Sequence, residues 1–155
     1  MARVFRWLLR AAGGLVLLGV AAVLLVYYLA ARSLPAYAAD VPVTGVSSTV
    51  EIVRNNANVP HVFGANDAED FFGLGYAHAQ DRLWQMTTLR RTAQGRLSEV
   101  FGTATVEIDS FIRRLDIYNL AVQSVQVQTP AANALLEAYS AGVNARIAEV
   151  NTDAL

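Results

Sequence analysis

Hydrophobic positions along this 155-residue chain fall into three regimes. Residues 11–31, AAGGLVLLGVAAVLLVYYLAA, form an unbroken uncharged run. At 1.5 Å of rise per helical residue it is long enough to cross a bilayer. Residues 32–48, RSLPAYAADVPVTGVSS, show no period, hold two prolines and many small residues, and read as a linker. Then TVEIVR (49–54) alternates Val50 and Ile52 with polar neighbours, NNAN (55–58) is a turn signal, and VPHVFG (59–64) resumes extended structure. Pro60 lacks an N–H and belongs at a strand start or sheet edge. These segments predict a β-hairpin.

From Asn66 the period becomes helical. Asp67 is the expected N-cap, with Asp70 three residues on in a weak capping box. The helix is expected over about 67–95, broken near Gly73–Gly75 or Ala79–Gln80, with Leu83, Met86 and Leu89 along one side. A short helix over 96–101 is expected to end at Gly102. A third, about 104–127, carries Val106, Phe111, Leu115, Tyr118 and Val122. A fourth, 130–149, starts with Thr129 as cap and Pro130 at the first helical position, and is striped by Leu135, Leu136, Tyr139, Val143, Ile147 and Val150. A hairpin and four helices form an unusual set, because two strands need a larger sheet or a covering helix. The pattern reads as an incomplete fold.

Charge refines the first regime. Arg3, Arg6 and Arg10 precede the apolar run and only Arg32 follows closely, which predicts a cytoplasmic segment 1–10, a membrane anchor 11–31 and a domain on the periplasmic or extracellular side. A cleaved signal peptide is the competing reading, with Ala36-Tyr37-Ala38 as its cleavage motif. The run is longer than a signal core, and Tyr27-Tyr28 near its end suits an interfacial belt, so the retained anchor is preferred. The chain has no cysteine and no lysine. From Ser33 onward eight arginines oppose thirteen carboxylates, a formal charge of −5, which removes nucleic acid from the list of partners.

Candidate chemistry is sparse. His61, His78 and Asp81 would make an incomplete metal set without a motif that joins them. Asp81 and Arg82 are adjacent, so on a helix they diverge by about 100° and each is expected to pair with another element. Asp81 with Glu99 as an acid–base pair has no spacing to recommend it. No serine sits in G-x-S-x-G, and S-x-x-K is impossible without lysine. Gly73 and Gly75 lack the strand and third glycine of a dinucleotide loop, and are assigned to close helix packing.

Several blocks together resemble the penicillin acylase (penicillin amidase) family, which includes acyl-homoserine-lactone acylases. They are VEIVRNNANVPHVFG, then FGLGYAHAQDRLWQMTTLRRTAQGRLSEVFG, then the dispersed IDSFIRR and LLEAYSAGVNARI. Within them Arg54, Pro60 and His61 mark the hairpin, and Gly73, Gly75, Gln80, Asp81 and Arg82 the first part of the long block. Arg90, Arg91, Gly95, Glu99 and Gly102 mark its second part. The resemblance implies a scaffold role for all of these, with Phe71, Phe72 and Tyr76 as the candidates for substrate contact. Ser33-Leu34-Pro35 is similar to the linker of anchored relatives.

The resemblance further implies an αββα N-terminal-nucleophile hydrolase. Its precursor cuts itself into a small and a large chain, and the first residue of the large chain is a serine activated by its own α-amino group. The oxyanion hole would also come from the large chain, and the reaction would hydrolyse a linear amide. Residues 49–155 would then be the first part of the small chain, inactive alone, with the remainder of the precursor as partner. No cofactor is expected in this chain, although the resemblance allows a structural calcium ion in the full-length enzyme. Two positions depart from the family pattern: Asn55 stands where Asp is usual and Asn58 where Gly is usual. The rival reading is a non-enzymatic, membrane-anchored helical module or a gene remnant.

Overall fold

The computed structural model describes residues 2–35 and 37–152, and divides into two units, 1–41 and 42–155. The first is a single helix, α1 (Ala2–Ser33), whose apolar side chains among residues 3–32 are exposed and which is long and apolar enough to cross a membrane or to serve as a signal sequence. Near its end the Arg32 guanidinium lies 5.9 Å from the Tyr28 ring centroid. Ala36, the first residue of the candidate cleavage motif, is outside the described residues.

The second unit opens with an antiparallel hairpin of β1 (Glu51–Arg54) and β2 (Pro60–Phe63), in which Ile52 faces Val62 and Arg54 faces Pro60. The turn is held by the Asn55 side chain, whose Oδ1 accepts from the Ala57 and Val59 amides at 2.9 and 3.0 Å. Asn58 takes φ 58°, the left-handed conformation that asparagine tolerates better than most residues. An amide at position 55 therefore secures the turn without a carboxylate. Pro60 is the first residue of its strand, where a missing N–H costs little.

Helix α2 (Asp67–Ala93) is the spine of this unit. The expected cap at Asp67 is corrected by one residue: Asn66 is extended and its side chain accepts from the Glu69 amide at 3.1 Å. Asp70 instead receives the Gly64 amide at 2.6 Å, tying the end of the hairpin to the helix. Nor does α2 break at its glycines or at Ala79–Gln80. The only non-helical residue among those described within it is Arg82 (φ −141°, ψ 25°). It ends in a Schellman motif, with Gly95 at φ 62°, its amide bonded to the Thr92 carbonyl and the Arg96 amide to the Arg91 carbonyl, both at 2.9 Å.

Beyond it, the expected helix 96–101 is one turn, α3 (Ser98–Phe101), ended by Gly102 at φ 71°, and a 3-10 turn follows over Gly102–Thr105. The single helix expected over 104–127 is two helices, α4 (Val106–Leu115) and α5 (Ile117–Gln126), because Asp116 adopts a left-handed conformation at φ 56°. Aspartate is one of the few residues able to do so at small cost, and Asn119 Nδ2 donates to its carboxylate at 2.6 Å. Helix α6 (Pro130–Thr152) begins as expected, with Thr129 Oγ1 accepting from the Ala132 amide at 3.2 Å.

The main packing is α6 against α2. Along α6 the half-buried positions include Leu135, Tyr139, Val143 and Ile147, while Leu136 and Val150 stay exposed, which narrows the expected stripe. The helices meet at two glycines: a Cβ on Gly75 would overlap the Tyr139 carbonyl, and one on Gly142 would overlap the Phe72 carbonyl. Gly73 has the same relation to the hairpin, where a Cβ would strike the Val50 and Val62 methyl groups. Around this crossing lie the buried apolar residues Phe72, Tyr76, Ala77 and Ala79.

Backbone cannot yield as a flexible side chain can, so Gly75→Ala is expected to destabilise the folded chain by about 1–3 kcal/mol. Denaturant unfolding of the detergent-purified protein checks this; an unchanged midpoint would mean that α2 and α6 are not in backbone contact.

Candidate functional site

Polar chemistry concentrates where the hairpin meets α2. Arg54 is nearly buried, and its guanidinium forks onto Asp81 with bonds of 3.0 Å to Oδ2 and 2.9 Å to Oδ1. The same group reaches Gln80 Oε1 at 3.0 Å and the Asn58 carbonyl at 3.2 Å. The β-strand period makes this possible, because Val50, Ile52 and Arg54 share the face turned towards α2. The adjacent Asp81 and Arg82 do diverge: Asp81 serves the hairpin, and Arg82 Nη1 lies 3.4 Å from Gln85 Oε1 on its own helix. Beside the fork is an open groove of about 590 Å³, lined by Asn58, Val59, Pro60, His78, Asp81, Arg82, Gln85, Met86 and Leu89 among others.

His78 lines that groove together with Asp81, but His61 does not join them. His61 is exposed and contacts Asn55 Nδ2 at 3.5 Å, whereas His78 Nδ1 lies 3.0 Å from the Tyr139 hydroxyl, with the two rings edge to face. Among the described residues no group of three His, Cys, Asp or Glu side chains could hold a metal ion. Asp81 and Glu99 are claimed by different arginines. Glu99 receives Arg91 at 2.6 Å and Arg96 at 2.7 Å, and the bonds from Arg96 and then Arg91 hold its carboxyl below the ordinary value. Arg90 is exposed on α2.

Of the candidates for substrate contact, Phe71 is half-buried, while Phe72 and Tyr76 are buried at the crossing. The Tyr76 hydroxyl donates to Glu149 Oε2 at 2.5 Å, and Glu149 also pairs with Arg146 at 2.6 Å. Burial, and then the carboxylate beside it, push the Tyr76 hydroxyl up to about 12.

Two buried carboxylates escaped the sequence reading, and they organise the most backbone. Glu69, 4% exposed, accepts from Ser48 Oγ (2.6 Å), Ser47 Oγ (2.7 Å) and the amides of Ala65, Ser48 and Ser47. The Ser48 hydroxyl, then Ser47 and the Ala65 amide, pull it down to about 2. Asp109, as deeply buried, accepts from the Leu97 and Ser98 amides (2.8 and 2.7 Å) and from Ser98 Oγ, capping α3 from outside. Burial opposes its charge, yet the bonds from Ser98 and Leu97 outweigh that and hold it below the ordinary range. A carboxylate in a first helical turn ordinarily signals only the helix dipole, so Glu69 gave no distinctive cue. Asp109 acts across eleven residues, beyond any local motif.

Chemically these clusters lock rather than react. The serine hydroxyls of 47, 48 and 98 go to carboxylates, and that of Ser124 to the Leu120 carbonyl. None of those three partners, Glu69, Asp109 and the Leu120 carbonyl, is a base that could take up a proton from a nucleophile at neutral pH in the manner of histidine.

With this geometry established, similarity to known proteins is informative. The profile described as Penicillin amidase matches residues 49–155, so the chain belongs to the penicillin amidase family. It is 35% identical over 116 residues to penicillin acylase 2 proenzyme of Pseudomonas sp. (strain SE83), covering 75% of this chain and 15% of that protein. It is 38% identical over 115 residues to acyl-homoserine lactone acylase QuiP of Pseudomonas aeruginosa, covering 74% and 14%. The solved thermostable penicillin G acylase from Alcaligenes faecalis matches with a TM-score of 0.62 at 30% identity, over 67% of this chain and 55% of that one. The chain thus spans about 14–15% of the length of these curated relatives.

Two outcomes follow for the locks. Glu69 has a folded pKa below its ordinary value near 4.5, so its contribution to stability is complete above that pH and disappears as pH falls towards 2. The melting-temperature gap between wild type and Glu69→Gln should therefore be wide at neutral pH and narrow below about pH 4.5; a gap independent of pH rules the assignment out. Arg54→Lys keeps the charge but loses the fork, and should cost roughly 1–3 kcal/mol in chemical unfolding, whereas a silent substitution would mean that the fork does not join hairpin to helix.

Proposed function

We propose that this chain is the membrane-anchored N-terminal part of an amidohydrolase that cleaves a linear amide, of the acylated β-lactam or N-acyl-homoserine-lactone type. In this reading residues 49–155 are scaffold. The nucleophilic serine, its α-amino base and the oxyanion hole come from further polypeptide with which the scaffold is assembled. The observation that carries the reading is the family match over residues 49–155, which takes in the hairpin, the Arg54–Asp81 fork and the glycine crossing. The names of the relatives supply the two substrate classes. Helix α1 is the anchor, with Arg3, Arg6 and Arg10 kept in the cytoplasm and the domain held on the far side.

The lock-like character of the polar clusters agrees with a scaffold role. A self-sufficient helical module gains no support from buried apolar residues limited, among those described, to Phe72, Tyr76, Ala77 and Ala79.

The test is hydrolysis of a chromogenic N-acyl amide and of N-acyl-homoserine lactones, read as release of the free amine. Purified residues 1–155 are expected to give no turnover, and a preparation that also carries the nucleophile-bearing polypeptide is expected to give it. Turnover by the 155-residue chain alone would place the nucleophile within it and overturn the division of roles.

A further inference from the structure

We infer that the groove between the hairpin turn and α2 binds a small amphipathic carboxylate, an aliphatic acid whose charged end pairs with Arg82 and whose tail lies on Val59, Met86 and Leu89. The site goes beyond the reading above and does not depend on it. Its lining residues all fall within 57–89, and its volume of about 590 Å³ is in the range usual for small-molecule sites. One part of the wall is apolar, with Val59 49% and Leu89 60% exposed. The other part is polar and is set by Arg82 and His78.

Charge selects the ligand. Arg54, Arg91, Arg96 and Arg146 are each held by a carboxylate. Arg82 is exposed, makes a long bond of 3.4 Å to Gln85 Oε1 and, among the described residues, takes part in no ion pair. An open guanidinium of this kind matches a planar carboxylate with two parallel hydrogen bonds. Asp81 is the acid in the same wall, and both of its oxygens accept from the Arg54 guanidinium, so its charge is met within the fold. One open cation beside one neutralised acid suits a single negative charge and not a phosphate dianion. His78 lies one turn before Arg82 in sequence, with the Tyr139 hydroxyl 3.0 Å from Nδ1, so Nε2 is the nitrogen placed for a ligand. An exposed ion pair contributes little by itself, and burial of the aliphatic tail supplies the rest of the affinity.

The test uses the full chain in a non-ionic detergent and a photoreactive probe, octanoic acid with a diazirine in its aliphatic tail. After irradiation the labelled residues are located by peptide sequencing, with hexanoate, hexanol or hexylamine as competitor. Label is expected within residues 57–60 and 82–89, suppressed by hexanoate and not by the alcohol or the amine. Arg82→Gln removes the pairing cation, and Leu89→Glu sets a second carboxylate in the groove. Each is expected to lower labelling there about tenfold, the cost of one charged hydrogen bond. Both side chains are exposed, so the thermal midpoint is expected to stay at the wild-type value. If one variant fails to accumulate, the other and the competition on wild type still decide. Label confined to α1, label displaced equally by hexanol, or variants that label as well as wild type overturn the inference.

Discussion

The second unit depends on a contact made without side chains. At Gly75 and Gly142 the backbones of α2 and α6 approach until the carbonyls of Tyr139 and Phe72 occupy the space a Cβ would need. That proximity lets small residues such as Ala77 and Ala79 be fully used as packing surface, and it brings Tyr76 within reach of Glu149 across the interface. Gly73, two residues away and so on the opposite side of α2, does the same for the hairpin through Val50 and Val62. Three glycines on two helices thus fix the positions of three elements. Their cost in helix propensity, about 1 kcal/mol each relative to alanine, is offset by contacts that no larger residue permits.

Because so little apolar volume is buried at the crossing, directional polar contacts set the rest. Each ties distant backbone to one side chain. Arg54 holds β1 and the hairpin turn to α2. Glu69 collects the segment at 47–48 and the end of β2, and Asp109 collects the start of α3. Each carboxylate is matched by several donors, so burying its charge leaves little unmet hydrogen-bonding demand. Such networks specify an arrangement more than they add net stability, since the same groups would be hydrogen-bonded to water in the unfolded chain.

Elements governed by local rules were legible in the sequence. The hairpin turn, Pro60 at a strand start, the Thr129–Pro130 helix start and the packing role of Gly73 and Gly75 all follow from what those residue types do within a few positions of themselves. The misplacements came where two residues compete for one local role or where distant contacts decide. Asn66 displaced Asp67 as cap because its backbone is extended. A helical period runs straight through Asp116, and nothing in that period reports a left-handed residue. The bend at Arg82 sits immediately after the residue that Arg54 grips from the hairpin, a pairing 27 positions apart. Glu69 and Asp109 were invisible for the same reason: their partners are defined by the fold.

The distribution of apolar surface shows how this unit combines strong helices with a slight core. Helix α2 turns its small residues inward and leaves Trp84 and Leu89 outward, while α4 and α5 keep large aliphatic and aromatic groups exposed. Burial of such a side chain is worth about 1.5–3 kcal/mol, so several left open forgo more stabilisation than the polar locks provide. Here the crossing and the locks define a shape first, and the large apolar groups remain available on its outside. The shape of this unit is therefore set by backbone contact and directional polar bonds more than by buried apolar volume.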